Sequence, residues 1–194
     1  MSDLHIIYIP GFGDRYDVIR RPLFNCWRIH GISTEFVPMN WRSAENYTDK
    51  LARIDGAIGR AKGKRVVLIG ESAGGSMVVA AHAKRYSELH QSMTISGKNR
   101  HAATVAPRFY CKYTAFRDAT QAADIAILHL SDNALRSFVS FYPLFDGVVP
   151  IQDASIPRAR FIRLYSIGHL FTILMALTIF SGYIVRVARR LEHK

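Results

Sequence analysis

The stretch from Arg65 to Gly75 reads RVVLIGESAGG and contains the strongest predicted strand of the chain. Residues 66–69 form an apolar run with no polar side, which is typical of a central parallel strand buried on both faces. The run ends in GESAG, a match to G-x-S-x-G, and a helix is predicted from about Gly74 to Arg85. This order predicts a sharp turn from strand to helix that holds Ser72 above a sheet.

Short apolar strands alternate with helices along the whole chain. This alternation predicts an α/β fold in which a mostly parallel central sheet carries helices on both faces. No repeat, low-complexity tract or linker divides the chain, so residues 1–194 are predicted to form a single domain. The other predicted strands lie near residues 4–9, 34–38, 93–96, 137–142 and 160–165, and the other helices near 17–30, 43–62 (with Ser43 as N-cap), 115–130 and 170–190.

The formal net charge of +11 is the unusual feature of the composition. A basic surface attracts anionic partners, but the scattered arginines and lysines are not accompanied by zinc-ligand spacing or an RNA-binding aromatic motif. We therefore expect no specific nucleic-acid binding. Two cysteines are too few for a disulfide framework, and the N-terminal segment lacks the features of a secretory signal, so a cytoplasmic location is expected.

Ser72 is the candidate nucleophile. Gly70 and Gly74 would let neighbouring backbone pack closely around the turn, and the positive end of the following helix would lie beneath the hydroxyl. The alternative is a chance match in a small-residue loop. The strand before the motif and the helix after it favour the nucleophile.

The candidate base is His169. A serine hydroxyl needs a base within hydrogen-bonding reach. The turn that carries Ser72 between a strand and a helix is called a nucleophile elbow, and in chains with this elbow the order is serine, then acid, then histidine. His82 and His90 belong to the helix after the elbow or its end, and His129 falls in a predicted helix. His169 follows the last predicted strand, where a loop can bring it over the sheet edge. The alternative is a buried structural histidine at the start of the final helix.

The candidate acid is Asp146, in the segment LFDGVVP after the strand at 137–142. This position places a carboxylate at the carboxyl end of a strand, where the chemistry of such sheets lies. Asp153 is the second choice, because a few residues of loop could redirect it. Asp132 precedes the strand and lies at the opposite edge. An Asp-Gly pair is also common in simple turns, which is the alternative for Asp146.

The candidate oxyanion donors are two backbone N–H groups. One is predicted at Ala73, directly after the nucleophile, and the other at Phe12, in the loop PGFG that follows the first strand. The alternative for this loop is a plain glycine turn.

Together these segments resemble the α/β-hydrolase superfamily over nearly the whole chain. The GESAG elbow, the DGVVP segment and the dipeptide Gly168-His169 occur in the order of that family's nucleophile, acid and histidine. The resemblance implies hydrolysis of an ester, thioester or amide through an acyl-enzyme, with no cofactor and no metal ion. The oxyanion loop begins Pro10-Gly11, whereas many members begin it with His-Gly. The short segment at 96–137 leaves no room for a large cap domain.

We therefore expect a serine hydrolase of the carboxylesterase or lipase type that cleaves small-molecule carboxylic esters or thioesters. An acyltransferase with the same three residues remains an alternative, because these residues do not determine which molecule accepts the acyl group. A non-catalytic binding or membrane-associated protein that keeps the fold is a further alternative.

The predicted final helix, at about residues 170–190, is unusually apolar. No formally charged residue occurs between Leu164 and Val185, and three arginines follow within five residues. An ordinary surface helix would show a polar stripe, so this helix must bury more than one face. It could pack within the fold or against a second copy, lie in a membrane interface with its arginines on lipid phosphates, or span a bilayer. Spanning is disfavoured because His169 must stay beside Ser72.

Overall fold

The computed structural model of the chain describes residues 3–190. At its centre is a six-stranded sheet in the order β2-β1-β3-β4-β5-β6, in which each neighbouring pair is parallel. The predicted α/β fold with a mostly parallel sheet is therefore confirmed. The strands are β1 (Leu4–Ile9), β2 (Ser33–Phe36), β3 (Arg65–Glu71), β4 (Gln91–Ile95), β5 (Phe138–Phe145) and β6 (Arg160–Ile167).

Helices cover both faces of this sheet. Short 3-10 helices at 14–16, 26–30, 86–88 and 102–104 connect the main elements. The α-helices are α1 (Asp17–Asn25), α2 (Tyr47–Arg60), α3 (Gly74–Arg85), α4 (Pro107–Lys112), α5 (Thr114–His129), α6 (Asp132–Arg136), α7 (Ile151–Ala154), α8 (His169–Leu177) and α9 (Ser181–Arg189).

The apolar run of β3 is buried on both sides because alternate residues enter two different cores. Val66 and Leu68 belong to a cluster that includes residues of α2, α3 and α5. Val67 and Ile69 belong to a second cluster on the opposite face, with residues of α1, α8 and α9. Side chains of a strand point to opposite faces in turn, so a strand between two helical layers has no polar side. All the strands are parallel, and their carboxyl ends therefore lie along one edge.

Several element boundaries differ from the predicted ones, among them the start of α2 and the end of β5. The N-cap of α2 is Asn46 and not Ser43: the Asn46 side chain accepts a hydrogen bond from Asp49 N–H, and the Asp49 carboxylate accepts one from Asn46 N–H. This reciprocal pair begins the helix later than expected. Strand β5 continues to Phe145, beyond the predicted end at residue 142, so Asp146 follows the strand directly.

The prediction of a single helix at about residues 170–190 is wrong. The chain breaks at Thr178 between α8 and α9, which are bent by 70°. The Leu177 carbonyl, which would accept a bond from Ser181 N–H in a continuous helix, accepts one from Trp27 Nε1 at 2.9 Å, while Ser181 N–H donates to Thr178 O. A tertiary contact thus replaces the helical bond at the break.

Within residues 3–190 no single helix is long and apolar enough to cross a membrane. The bent pair of α8 and α9 meets that criterion only when the two helices are taken together, and by length and composition alone.

Candidate active site

The turn between β3 and α3 is sterically crowded and conformationally strained. Ser72 has a φ of 47°, in the left-handed region that non-glycine residues rarely adopt. A Cβ on Gly70 would lie 2.6 Å from the Gly74 carbonyl oxygen, and a Cβ on Gly74 would collide with the Ile9 carbonyl. Glycine at both positions therefore lets the turn pack against itself and against β1, which holds the serine in its strained conformation.

Ser72, His169 and Asp146 form a continuous chain of hydrogen bonds. The Ser72 hydroxyl donates to His169 Nε2, with 2.9 Å between Oγ and Nε2, and His169 Nδ1 donates to Asp146 Oδ2 at 2.8 Å. The tautomer is assigned from this network, because a carboxylate can only accept. The other carboxylate oxygen of Asp146 accepts from the N–H groups of Val148 and Val149 at 2.8 and 3.0 Å. Asp146 and His169 are both buried, and three candidate residues from distant parts of the sequence thus lie in contact.

The hydrogen bonds to Asp146 determine its charge state. Burial by itself would raise the pKa of this carboxyl group. The bonds from His169, Val149 and Val148 outweigh burial and leave the pKa below its usual range. Asp146 is therefore an anion at neutral pH, and it can stabilise a positive charge on the imidazole of His169.

The loop after β1 lies directly against the elbow. A Cβ on Gly11 would lie 2.7 Å from Ser72 Cβ and 3.3 Å from Ala73 N, so only glycine allows this approach. Within residues 3–190, neither the Phe12 N–H nor the Ala73 N–H donates a hydrogen bond. N–H groups that have no acceptor are available as donors to a developing negative charge.

A buried glutamate that the sequence reasoning did not single out connects the elbow to this loop. Glu71 is fully buried, and its Oε1 accepts from the Gly11 N–H at 3.1 Å and from Arg20 Nε at 2.8 Å. Its Oε2 accepts from the Tyr8 hydroxyl. Burial, together with the negative charge of Glu71, raises the pKa of Tyr8 well above its usual value, so the phenol keeps the proton that it donates.

Arg20 completes this network from the other side of the loop. Its guanidinium donates to Phe12 O at 2.9 Å and to Gly13 O at 3.1 Å. Glu71 and Arg20 therefore hold the peptide groups that flank the Phe12 N–H. The signal in the sequence was the acidic residue at the end of an apolar strand, because a buried carboxylate needs a cationic or hydrogen-bonding partner.

Asp153, the second choice for the acid, does not contact His169. One of its oxygens accepts from Lys98 Nζ at 2.5 Å and from Thr104 Oγ1 at 2.7 Å, and the other accepts from His101 Nδ1 at 2.9 Å. The Lys98 backbone N–H donates to the Ser72 carbonyl at 2.8 Å, so this second cluster lies beside the elbow. Its charges are balanced internally by a buried ion pair.

A cavity of about 270 Å³ opens beside Ser72. Lys98, Thr104 and Asp153 form its polar part, and the rest of the wall is apolar. Among residues 3–190, no three His, Cys, Asp or Glu side chains are grouped in a way that could hold a metal ion. The apolar lining residues are Phe12, Ala73, Val105, Phe109, Phe116, Val148, Val149 and Pro150.

Comparison with known proteins gives matches in structure only. No family model and no curated protein matches the sequence. The esterase domain of a Rhodothermus marinus protein is similar with a TM-score of 0.70 and 14% identity, over 98% of this chain and 88% of that one. Carboxyl esterase 2 of the fungus Tuber melanosporum gives a TM-score of 0.66 and 16% identity, over 97% and 77%.

A monoacylglycerol lipase from Paleococcus ferrophilus gives a TM-score of 0.65 and 11% identity, over 95% of this chain and 93% of that one. Identities this low establish the fold and do not by themselves establish an activity. The strand order, the parallel sheet and these matches agree with one another. The chain therefore has the α/β-hydrolase fold.

Proposed function

We propose that this chain is a serine hydrolase that cleaves carboxylic esters through an acyl-enzyme intermediate. The observation that carries the proposal is the chain of hydrogen bonds from Ser72 through His169 to Asp146, at the carboxyl edge of a parallel sheet. The similar solved structures named above are esterases and a lipase, which supports an ester as the substrate.

In the proposed acylation, Ser72 Oγ attacks the ester carbonyl carbon while His169 Nε2 takes the hydroxyl proton. The carbonyl oxygen becomes an oxyanion, and the N–H groups of Phe12 and Ala73 donate to it. Asp146 stabilises the imidazolium that forms and keeps the ring in its orientation. His169 then delivers the proton to the leaving alkoxide oxygen as the carbon–oxygen bond breaks, which releases the alcohol.

Deacylation repeats these steps with water as the nucleophile. His169 removes a proton from the water as its oxygen attacks the acyl carbon, and the oxyanion again forms against the Phe12 and Ala73 N–H groups. Collapse of the intermediate returns the proton to Ser72 Oγ and frees the carboxylic acid. A thioester would react in the same way, with a thiolate as the leaving group.

The network of Glu71 and Arg20 supports the assignment of Phe12 as an oxyanion donor. Both neighbouring peptide groups are already held by buried side chains, so little reorganisation is needed when negative charge develops. Removing one preorganised donor of this kind lowers kcat by about 10²–10³-fold.

The cavity beside Ser72 supports a small-molecule substrate with an apolar acyl or alcohol part. Its wall is mainly apolar and includes three phenylalanines, and its volume is near the lower end of that of ligand pockets. We expect short and aromatic esters to be cleaved faster than long-chain esters.

Labelling with a fluorophosphonate probe, which phosphonylates activated serines, tests the proposal directly. We expect the purified protein to be labelled, Ser72→Ala to take no label, and His169→Ala to be labelled far more slowly because the base is missing. A panel of p-nitrophenyl esters of increasing chain length then measures the substrate preference.

Ser96 supplies a matched control for this experiment. It follows β4 at the same sheet edge and has the same φ of 47°, but its buried hydroxyl has no hydrogen-bond partner within residues 3–190. Ser96→Ala should be labelled like wild type. The proposal fails if the folded wild-type protein takes no label, or if the label persists in Ser72→Ala.

A further inference from the structure

The outward side of α8 is apolar although nothing in the described chain covers it. Leu170, Phe171 and Leu174 lie on one side of the helix and expose 65%, 53% and 47% of their surface. The spacing of these residues matches one helical face, and a surface helix normally places polar side chains there. The opposite side of α8 packs on the sheet through Ile173 and Ala176, so the helix is apolar almost all round.

The apolar surface continues from α8 onto α1. A groove of about 240 Å³ separates the two helices, and Ile19 and Leu23 line it together with Leu170 and Leu174. Ile19 is itself more than half exposed. We call the surface formed by Tyr16, Ile19, Leu23, Leu170, Phe171 and Leu174 the α1–α8 face. Contiguous exposed apolar surfaces of this kind mark sites of interaction.

The α1–α8 face begins at the rim of the candidate active site. Helix α8 starts at His169, whose imidazole contacts Ser72. Arg20, which lines the groove, donates to the Phe12 carbonyl of the oxyanion loop. A surface that covered this face would therefore lie next to the entrance of the site.

The exposed charged side chains of residues 14–25 and of α9 are arginines. From His169 to Arg190, the segment that forms α8 and α9, the chain contains three arginines and no aspartate or glutamate. Arg186 lies on the exposed side of α9, and the Arg15 guanidinium lies 4.7 Å from the ring of Tyr16 at the edge of the groove. The two acids next to the groove already have partners: Asp17 is paired with Arg20 at 3.1 Å, and the Asp14 carboxylate accepts hydrogen bonds from the Trp41 and Arg42 N–H groups.

This charge distribution discriminates between occupants of the face. A second copy of the chain would bring two cationic rims together, which is unfavourable. An anionic bilayer offers hydrocarbon for the leucines and phenylalanine and phosphate groups for the arginines. We propose that the α1–α8 face binds an anionic membrane surface and that the candidate active site opens beside the bilayer.

Sedimentation with lipid vesicles tests this binding without any measurement of activity. We expect the purified protein to bind vesicles of phosphatidylcholine mixed with phosphatidylglycerol more strongly than vesicles of phosphatidylcholine alone, and added salt to weaken the binding. In Leu170→Glu/Leu174→Glu, partitioning should fall at least about tenfold, because two side chains no longer enter the apolar layer. In Arg186→Glu/Arg190→Glu, the preference for the anionic vesicles should fall.

Helix α5 offers a matched control. Ile125 and Leu128 are also exposed apolar residues, but α5 packs on the opposite face of the sheet. Ile125→Glu/Leu128→Glu should bind vesicles like wild type, and circular dichroism verifies that each variant is folded. The proposal is overturned if wild type does not bind anionic vesicles, or if the α5 variant loses as much binding as the α8 variant. It is also overturned if sedimentation velocity shows a dimer that Leu170→Glu/Leu174→Glu dissociates, since the face would then join two copies.

Discussion

Two aspartate–histidine pairs lie near the carboxyl edge of the sheet, and only one of them reaches the serine. The Asp146–His169 and Asp153–His101 contacts are nearly equal in length, at 2.8 and 2.9 Å. The imidazole of His169 is buried and its second nitrogen contacts Ser72, whereas the side chain of His101 is 40% exposed. The remaining oxygen of Asp153 binds Lys98 and Thr104.

A charged carboxylate beside an imidazole therefore does not by itself define a catalytic pair. Burial would raise the pKa of both aspartates, and hydrogen bonds lower both below the usual range. The partners differ: His169 and backbone N–H groups stabilise Asp146, whereas Lys98, Thr104 and His101 stabilise Asp153. What distinguishes the pairs is the group that the far nitrogen of the imidazole can reach.

Neutralising each aspartate in turn tests whether the two pairs differ in function. We expect Asp146→Asn to lower kcat by roughly 10³–10⁴-fold, because the amide favours the wrong imidazole tautomer and cannot stabilise imidazolium. Asp153→Asn should keep a kcat near that of wild type per folded molecule. Ester hydrolysis, normalised to the folded fraction from circular dichroism, measures both, and similar losses in the two variants would contradict the distinction.

The second aspartate is expected to matter for stability. Asp153→Asn leaves Lys98 buried without its anion, which should lower the free energy of unfolding by about 3–5 kcal/mol. Urea denaturation measures this loss. The double variant Lys98→Met/Asp153→Leu removes both charges and should recover much of it. A single-variant loss below about 1 kcal/mol would mean that the pair behaves like an exposed ion pair.

Glu71 extends the comparison to a carboxylate that contacts neither histidine. Glu71→Gln removes the charge that anchors Arg20 and the Gly11 N–H, so the Phe12 N–H should be less well oriented and kcat should fall by about 10²-fold. Affinity for a boronic acid, which forms a tetrahedral adduct with serine, should fall in parallel with kcat/KM while KM changes little. Glu88, an exposed carboxylate paired with Arg85 after α3, supplies the control, since Glu88→Gln should leave both values unchanged.

His82 shows what happens to a buried histidine that has no carboxylate. Its Nε2–H donates to the Ala134 carbonyl and its Nδ1 accepts from the Ser92 hydroxyl, both at 2.9 Å. Burial lowers the pKa of His82 to about 4, so the unfolded chain binds more protons than the folded one between about pH 6.5 and 4. His82 should therefore cost about 2 kcal/mol of stability between pH 7.5 and pH 5.

Urea denaturation at both pH values measures this effect. In His82→Gln the loss of stability on acidification should be smaller than in wild type, because the titrating group is gone. His5 and His90 also have lowered pKa values for the same main reason, so some dependence on pH should remain. An unchanged slope in His82→Gln would contradict the assignment.

Much of the fold could be predicted because its determinants are local. The apolar run at 66–69 and the helices on either side of it indicated a parallel sheet, and parallel strands bring their carboxyl ends to one edge. Ser72, Asp146 and His169 each follow a strand, so the topology alone brought these residues close together.

The remaining features depend on contacts between distant elements. The pairing of Glu71 with Arg20 requires α1 to pack beside the end of β3, and no spacing in the sequence encodes that distance. The sequence could not distinguish the role of Asp153 from that of Asp146, because the ion pair between Asp153 and Lys98 is visible only in the structure. At the break after α8, the Leu177 carbonyl accepts a hydrogen bond from Trp27, which belongs to a distant segment of the chain.

The parallel topology also has a consequence for folding. Ser72 and His169 are 97 positions apart, so the bond between them forms only after β5, β6 and α8 have joined the sheet. Contacts of such long range form slowly. A chain that has assembled only β1 to β4 already contains the serine and both candidate oxyanion donors, but it has no base. If the proposed mechanism holds, the serine has no base in the partly folded chain, and recovery of fluorophosphonate labelling after dilution from denaturant should report the last stage of folding.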